Sequence, residues 1–377
     1  MTKASLYINA KGYGVTRHSY SGSSEYNHCA RLYYLKRIAG WSERKQSAAM
    51  QFGIAMEEAH REFHATGLLQ SLAVFEHLWE KLKDNKELEY SDRNESWDAL
   101  NLTGQELLRL YAIKYPKFDF TIPSTESFQV QRSYEVFPGS ELAGIELISY
   151  MDIIGKLKAG RVAPDLKDDR VILDMKVSTA ECPVLVALDP QLRTYSMVEE
   201  IPTVGFLWFK INSRNLKRGD EVTVLEQSGH ISPGTIGYVL SEDKNDIPIT
   251  PPSIYLVSAQ KCVDDFEAIK GASKEAKAVR EKFIADFGVI VPISAITRQE
   301  IEVRMATISD EGREDMRRQI EQDIIRIHHA SEEDFWPQQG GVRFPNNKCV
   351  TCAMRGICSG NDKLRDELVM RIQEEII

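Results

Sequence analysis

Apolar positions in the N-terminal part of the chain recur at helical spacing. Residues 21–39 open on a Ser/Gly/Ser cluster, with Ser21 as candidate N-cap. They set Tyr26, Cys29 and Tyr33 on one face and reach Gly40, a residue suited to ending a helix. A second helix is expected over about 46–65, with Phe52, Met56, Ala59 and Phe63 as its core stripe and Gly53, Glu57, His60 and His64 as the stripe beside it. Residues 71–115 read as further helices, polar on one side.

Beyond residue 125 the period shortens to two. Residues 127–137, 145–154 and 170–177 read as strands, and the charged stretch between the last two as a hairpin turn. Residues 189–200 read as a helix starting at Pro190, and 203–211 as a strand. Arg218–Glu226 and Gly234–Leu240 suggest a small β-hairpin or SH3-like insertion over 212–252. From about 258 to 330 the pattern is mostly helical, ending in the charged segment Arg317–Ile325, and a loop at Trp336 leads to a group of cysteines. The expected organisation is a helical region over 1–125, an α/β core over 126–211, the β-rich insertion over 212–252, a helical region over 253–340, and a cysteine-bearing segment with a final helix over 341–377.

Composition narrows the class. With 377 residues, 42% hydrophobic and 27% charged, the chain reads as a soluble globular protein. No apolar run approaches the ~20 residues of a membrane-spanning helix. Met1–Tyr7 lacks the continuous apolar core of a secretory signal, so the expected location is the cytoplasm, with no membrane partner. The net charge of −9 gives no support to nucleic-acid binding, yet a basic groove can sit on an acidic body.

In a reducing compartment, closely spaced cysteines favour metal over disulfide. Cys349-Val-Thr-Cys352 and Cys358 lie together, and Cys29 is the candidate fourth ligand. Cys182 and Cys262 stand alone and read as small hydrophobes. Four thiolates hold either a tetrahedral zinc or a [4Fe–4S] cluster. The isolated Cys29 and the wide spacing before Cys358 suit zinc less well.

The chemistry-bearing pattern is Val171-Ile-Leu-Asp174-Met-Lys176. Alternation along a strand puts Asp174 and Lys176 on one face while Leu173 and Met175 face packing. Metal-dependent phosphodiester hydrolysis requires a carboxylate that holds a divalent cation, and a lysine that orients water or steadies phosphate charge. On its own the pattern recurs by chance and is far more readily a solvated strand edge. Ser149-Tyr-Met-Asp152 adds a second carboxylate at the tip of the neighbouring strand, and two carboxylates meeting on one face repel unless a cation lies between them. Pro164-Asp165 offers a competing acid, but it falls in the polar turn, so Asp152 is preferred. Gln191 and Tyr195, one turn apart on a helix, face one way and suit contact with phosphate or with the lysine.

In this order the motifs resemble the RecB-like branch of the PD-(D/E)xK nuclease superfamily, in particular its iron–sulfur members: AddB-type exonuclease domains, the CRISPR-adaptation nuclease and phage exonucleases. The matching pieces are Ser21–Tyr34 with Cys29, Phe52-Gly53 through Glu57 and His60, Asp152, Asp174-x-Lys176, Gln191 with Tyr195, and Phe344 through Cys349, Cys352 and Cys358. Residues 68–125 and 212–340 carry no matching motif.

The resemblance implies an α/β fold with a restriction-endonuclease-like core, a mixed central sheet flanked by helices. It also implies a [4Fe–4S] staple on Cys29, Cys349, Cys352 and Cys358, with zinc as the alternative at the same cysteines. Magnesium or manganese would be held by Asp152, Asp174 and the main-chain carbonyl of Met175, completed by Glu57 or His60. The family's metal-binding histidine falls four residues after the glycine, where this chain has Glu57; His60 lies one turn further on. His64 continues that stripe, so a His60/His64 zinc pair is a second candidate. Ser149 stands where the family has glycine and reads as a packing change. By resemblance Lys176 positions water, Gln191 and Tyr195 support the lysine or the DNA backbone, and Lys36, Arg37, Lys348 and Arg355 are candidate phosphate contacts.

The activity so implied is that of a metal-dependent DNA exonuclease in phage or bacterial recombination, repair or processing. Its substrate would be DNA that is single-stranded or has free ends, and a helicase, recombinase or phage factor is the candidate partner. Two alternatives stand beside it. One is a non-catalytic DNA- or partner-binding protein on a nuclease scaffold, docking through 212–252. The other is an endonuclease of the same superfamily.

Overall fold

The computed structural model describes residues 17–90, 96–140, 142–160, 168–212, 216–228, 231–241, 253–269, 273–339, 341 and 347–370. Pro164 and Asp165, where a polar turn was expected, and Phe344 lie outside the described residues.

Strand β1 (Arg17–His18) leads into helix α1 (Tyr20–His28), whose N-cap Ser19, rather than Ser21, accepts from Gly22 N at 3.2 Å. The single helix expected over 21–39 is broken. Cys29 is extended (φ −166°, ψ 118°), and α2 (Ala30–Tyr33) restarts after it and runs into a π-helical turn over Tyr34–Ile38. The break is held by distant partners. Ala30 N donates to Gln339 Oε1 at 3.3 Å and Arg31 N to the Pro337 carbonyl at 3.2 Å, satisfying donors that a continuous helix bonds internally.

Short strands β2 (Trp41–Glu43) and β3 (Gln46–Ser47) precede α3 (Ala48–Thr66), α4 (Leu68–Glu80), β4 (Leu88–Glu89) and α5 (Trp97–Lys114). Phe52, Met56 and Ala59 of α3 pack with Phe75 and Trp79 of α4 and Leu107, Leu108 and Tyr111 of α5. Gly104 lets α5 approach α4: a Cβ there would lie 2.1 Å from the Phe75 ring.

The sheet region follows with β5 (Phe120–Thr121), β6 (Phe128–Glu135), β7 (Glu146–Leu157), β8 (Arg170–Ser178), α6 (Pro190–Glu199) and β9 (Thr203–Lys210). Then come β10 (Glu221–Val224), β11 (Ile236–Ser241), β12 (Ser253–Val257), α7 (Gln260–Glu267), α8 (Lys274–Phe287), β13 (Val289–Pro292), β14 (Ile296–Thr297), β15 (Glu300–Thr307) and α9 (Asp310–Glu332). The last elements are α10 (Arg355–Ser359), α11 (Asp362–Arg365) and β16 (Leu368–Met370).

The central sheet is mixed and seven-stranded, ordered β1-β7-β8-β9-β15, with β5 and β6 on the other edge of β7. β8 runs parallel to β9 and antiparallel to β7. Alternate residues of β8 face opposite layers: Val171, Leu173 and Met175 join the α3–α5 core, while Ile172 joins Leu192 and Tyr195 of α6. The fold is therefore mixed α/β with helices on both faces of the sheet.

A separate antiparallel sheet is ordered β13-β12-β11-β10-β14. Its strands run past residue 252 to Thr297, and β15 then pairs along the full length of β9. Helices α7, α8 and α9 supply most of 258–330, as expected, but strands β13, β14 and β15 lie between α8 and α9, where no strand was expected. Glu300-Ile-Glu-Val-Arg-Met alternates charged and apolar residues, a strand pattern set among helical neighbours.

The N-terminal helices pack against the C-terminal segments. Tyr33 stacks on Trp336 at 5.8 Å, Asn27 Nδ2 donates to Asp323 Oδ2 at 2.7 Å, and β16 pairs with β2. Among the described residues no helix is long and apolar enough to cross a membrane.

Candidate active site

Strand β7 pairs with β1 at Glu146–Leu147 and with β8 from Ile153 onward, so one of its edges opens between them into a fork. Continuing the Ile153↔Leu173 register puts Asp152 opposite Asp174 at the mouth of the fork. Asp152 Oδ2 accepts from Met175 N at 2.8 Å, which pins the carboxylate across the gap. Lys176 Nζ lies 2.6 Å from Asp174 Oδ2 as an ion pair that lacks hydrogen-bond alignment, since both Asp174 oxygens are buried without a hydrogen-bond partner.

The sheet is deformed at this point, which the sequence did not signal. Gln129, beside Asp152 on the β6 side, has φ 50°, a left-handed backbone at the second residue of the strand. Across it the side-chain alternation slips: Phe128 and Ile153 join the α3–α5 core, whereas Val130 and Met151 join the α6 side. A strained backbone next to the first carboxylate is the kind of feature that gathers at functional sites.

Glu57 extends from α3 toward the same group of charges, with Oε1 buried and unpartnered. Burial, the neighbouring Glu58 and Asp174 push its carboxyl up to about 7 against the pull of Lys176. Asp174 rises to about 7 through burial and the Asp152 charge, and Asp152 to about 6 through burial and the Glu57 charge. Burial would lower Lys176, but Asp174 and Asp152 keep its pKa raised. One ammonium thus faces three carboxyls that resist ionisation. Such an arrangement gains from a divalent cation, and carboxylate oxygens suit magnesium or manganese. The donor set fits the ion, although among the described residues no three His, Cys, Asp or Glu side chains are gathered as a ready ligand set.

His60 sits elsewhere. Its ring is fully buried against Tyr111 at 4.3 Å and Phe128 at 5.3 Å, with both nitrogens unpartnered. Burial and the adjacent His64 hold its pKa well below the ordinary range, so the ring is neutral. His64 hydrogen-bonds Tyr111 OH at 2.9 Å, and burial lowers it to about 4. We expect His60→Leu to unfold at an equal or higher temperature, because an orphaned buried polar group costs about 1–3 kcal/mol. Manganese affinity, read by calorimetry, should be unchanged in His60→Leu and weakened at least about tenfold in Glu57→Gln. Loss of manganese binding in His60→Leu would instead make the histidine the ligand.

Raised carboxyl pKa values also set a pH dependence. These groups hold protons more tightly folded than unfolded, so the stability they contribute is present below about pH 4 and is lost as pH rises through 6 and 7. Stabilisation by added magnesium, measured as a shift in thermal midpoint, should therefore grow between about pH 5 and about pH 8. A shift that shrinks over that interval contradicts the assignment.

Gln191 Nε2 donates to Tyr195 OH at 2.6 Å. Burial raises Tyr195, as do the charges of Asp174 and Asp152, so this pair adjoins the carboxylates. The basic candidates are already engaged. Lys36 and Arg37 bind Glu25 at 2.8 and 2.6 Å, Lys348 donates to the His28 carbonyl at 3.1 Å, and Arg355 to the Val350 carbonyl.

Cys29, Cys349, Cys352 and Cys358 all line one cavity of about 340 Å³. Gln339 N and Gln338 Nε2 point at the sulfurs of Cys29 and Cys349, at 3.5 and 3.4 Å. Burial and the other cysteines raise the thiols of Cys352 and Cys358. Soft donors facing one space, with N–H groups aimed at sulfur, fit a thiolate-bound metal group, though the sulfurs as they stand form no assembled cluster site.

A family model described as the PD-(D/E)XK nuclease superfamily matches residues 17–359. No curated protein matches the chain. A solved structure titled "Crystal structure of SSO0001" aligns at 12% identity with a TM-score of 0.19, over 45% of this chain and 63% of that one, too low a score to carry an argument.

Proposed function

This chain belongs to the PD-(D/E)XK nuclease superfamily, and from that premise we propose that it is a metal-dependent DNA exonuclease of the RecB-like, iron–sulfur branch. The observation that carries the reading is the convergence of Asp152, Asp174 and Lys176 at the fork of β7 and β8, with Glu57 adding its charge from α3. Asp152, Asp174, Glu57 and the Met175 carbonyl would hold magnesium or manganese. When bound, that ion polarises the scissile phosphate and acidifies water.

The chain's own groups do the rest. Lys176 positions the attacking water or stabilises the charge that develops on the phosphate. Gln191 and Tyr195 present an amide and a phenol beside the carboxylates, where they orient the lysine or the DNA backbone. Cys29, Cys349, Cys352 and Cys358 would hold a [4Fe–4S] cluster whose binding stabilises the N- and C-terminal segments against the core. The Gln338 and Gln339 N–H groups, aimed at the Cys349 and Cys29 sulfurs, would tune such a cluster.

The exonuclease reading is tested with manganese, end-labelled linear DNA (single- and double-stranded) and closed circular DNA. Degradation of linear DNA alone is expected, with polarity read from the label. Cutting of circles would move the assignment to an endonuclease. Binding without cleavage would favour a scaffold that acts through the separate β-sheet.

A further inference from the structure

Beside the fork lies a cavity of about 420 Å³, bounded by the start of α1, the open edge of β7 and helix α6. Ser19 and Ser21 line it from α1, Ser149 from β7, and Gln191 and Tyr195 from α6. Ser149 is the informative member. It is only 3% exposed, and its hydroxyl has no hydrogen-bond partner. A buried hydroxyl left unpaired costs about 1–3 kcal/mol, so a packing role explains it poorly and an absent acceptor explains it well.

What favours an anion here is the start of a helix together with hydroxyl donors, not a lining cation. Helix α1 is nine residues long and begins at the cavity, so its first-turn N–H groups and its dipole favour negative charge. Ser19 and Ser21 hold their hydroxyls 3.1 Å apart at that turn, and Arg37 donates to Ser21 Oγ at 3.3 Å. One carboxylate, Glu25, also lines the cavity, and its charge is matched by Lys36 and Arg37 at 2.8 and 2.6 Å. Tyr195 joins this space to the carboxylates of the fork through its position beside Asp152 and Asp174.

We propose that this cavity is a phosphate-binding subsite, in which the Ser149 and Ser21 hydroxyls and the first turn of α1 hold the DNA phosphate next to the one cleaved. The inference rests on the nuclease reading for the identity of its ligand. The phosphate is either an internal diester or a terminal monoester, and both present the same oxygens to these donors. Serine at 149 is then a binding residue rather than a packing change.

The test measures binding of single-stranded oligonucleotides by fluorescence anisotropy, with calcium in place of magnesium so that the strand stays whole. The oligonucleotides carry a 5′-phosphate, a 3′-phosphate or neither. Ser149→Ala should weaken binding by about three- to tenfold, the value of one hydrogen bond, while unfolding at an equal or higher temperature. Ser21→Asp, which puts a carboxylate at the anion's place, should weaken binding more than about tenfold. Losses confined to one phosphorylated end identify a terminal monoester, and equal losses on all three identify an internal diester. Both variants binding every oligonucleotide as the wild type does would overturn the subsite. Wild-type cleavage with manganese, run in parallel, reports on the nuclease reading separately. Binding losses without any wild-type cleavage refute that reading and leave the subsite standing, whereas a wild type that binds no oligonucleotide refutes both.

Discussion

Replacing Asp174 with asparagine should abolish DNA hydrolysis and, in metal-free buffer, stabilise the protein. The two effects share one cause. Asp174 is fully buried, Lys176 lies 2.6 Å from it as an ion pair, and burial with the Asp152 charge still raises its pKa to about 7. An amide of the same shape removes the charge that burial disfavours and lets Asp152 and Glu57 ionise more readily. It also removes the carboxylate oxygen that a hard divalent cation needs. Loss of several kcal/mol of transition-state stabilisation corresponds to a fall in rate of at least about a thousandfold. Steady-state cleavage and thermal unfolding in chelator, measured on one preparation, read both effects. A variant that keeps activity, or that unfolds at a clearly lower temperature without metal, would place Asp174 in an ordinary structural ion pair with Lys176.

The second large effect is expected at the cysteines. In Cys352→Ser, the metal group and its visible absorption should be lost, and the elements around it should loosen: α1, α2, the loop at Trp336 and residues 347–370. Structural metal sites contribute about 10–16 kcal/mol in small zinc domains, more than many whole domains possess. Contacts that do not involve sulfur, such as the Tyr33–Trp336 stack and the β2–β16 pair, moderate the loss. Hydrogen exchange should therefore quicken in those segments while β7, β8 and β9 keep their protection. Cys182→Ser, at a buried cysteine packed in the α6-side core, should retain the metal. Iron in the wild type with none in Cys352→Ser is the expected analysis. Zinc in its place would select the tetrahedral alternative, and as much metal in Cys352→Ser as in the wild type would remove Cys352 from the ligand set.

Much of the frame could be read from local pattern. The α3 stripe of Phe52, Met56 and Ala59, the strands bearing Asp152 and Asp174, and the Pro190 helix start all rest on period and capping, which act over a few residues. The features that escaped depend on distant partners. The break at Cys29 exists because Gln339 and Pro337 satisfy the donors of the next turn. Strand β15 alternates in period two, yet its place as the edge beside β9 is a matter of topology. Spacing along α3 could not choose between Glu57 and His60, which share a stripe. The packing separates them, since His60 is enclosed by aromatic rings while Glu57 senses the charges of Asp174 and Lys176. The left-handed Gln129 leaves no mark in composition at all, because the constraint lies in the sheet around it.

A divalent ion held by these carboxylates is expected to drive phosphodiester hydrolysis. The most direct test of that role is the rate of strand cleavage against manganese concentration for the wild type and Glu57→Gln. No cleavage is expected in chelator, with a saturable rise on adding manganese and a half-saturation concentration at least about tenfold higher in the variant. Cleavage that persists in chelator, or identical manganese curves for the two proteins, would contradict that role.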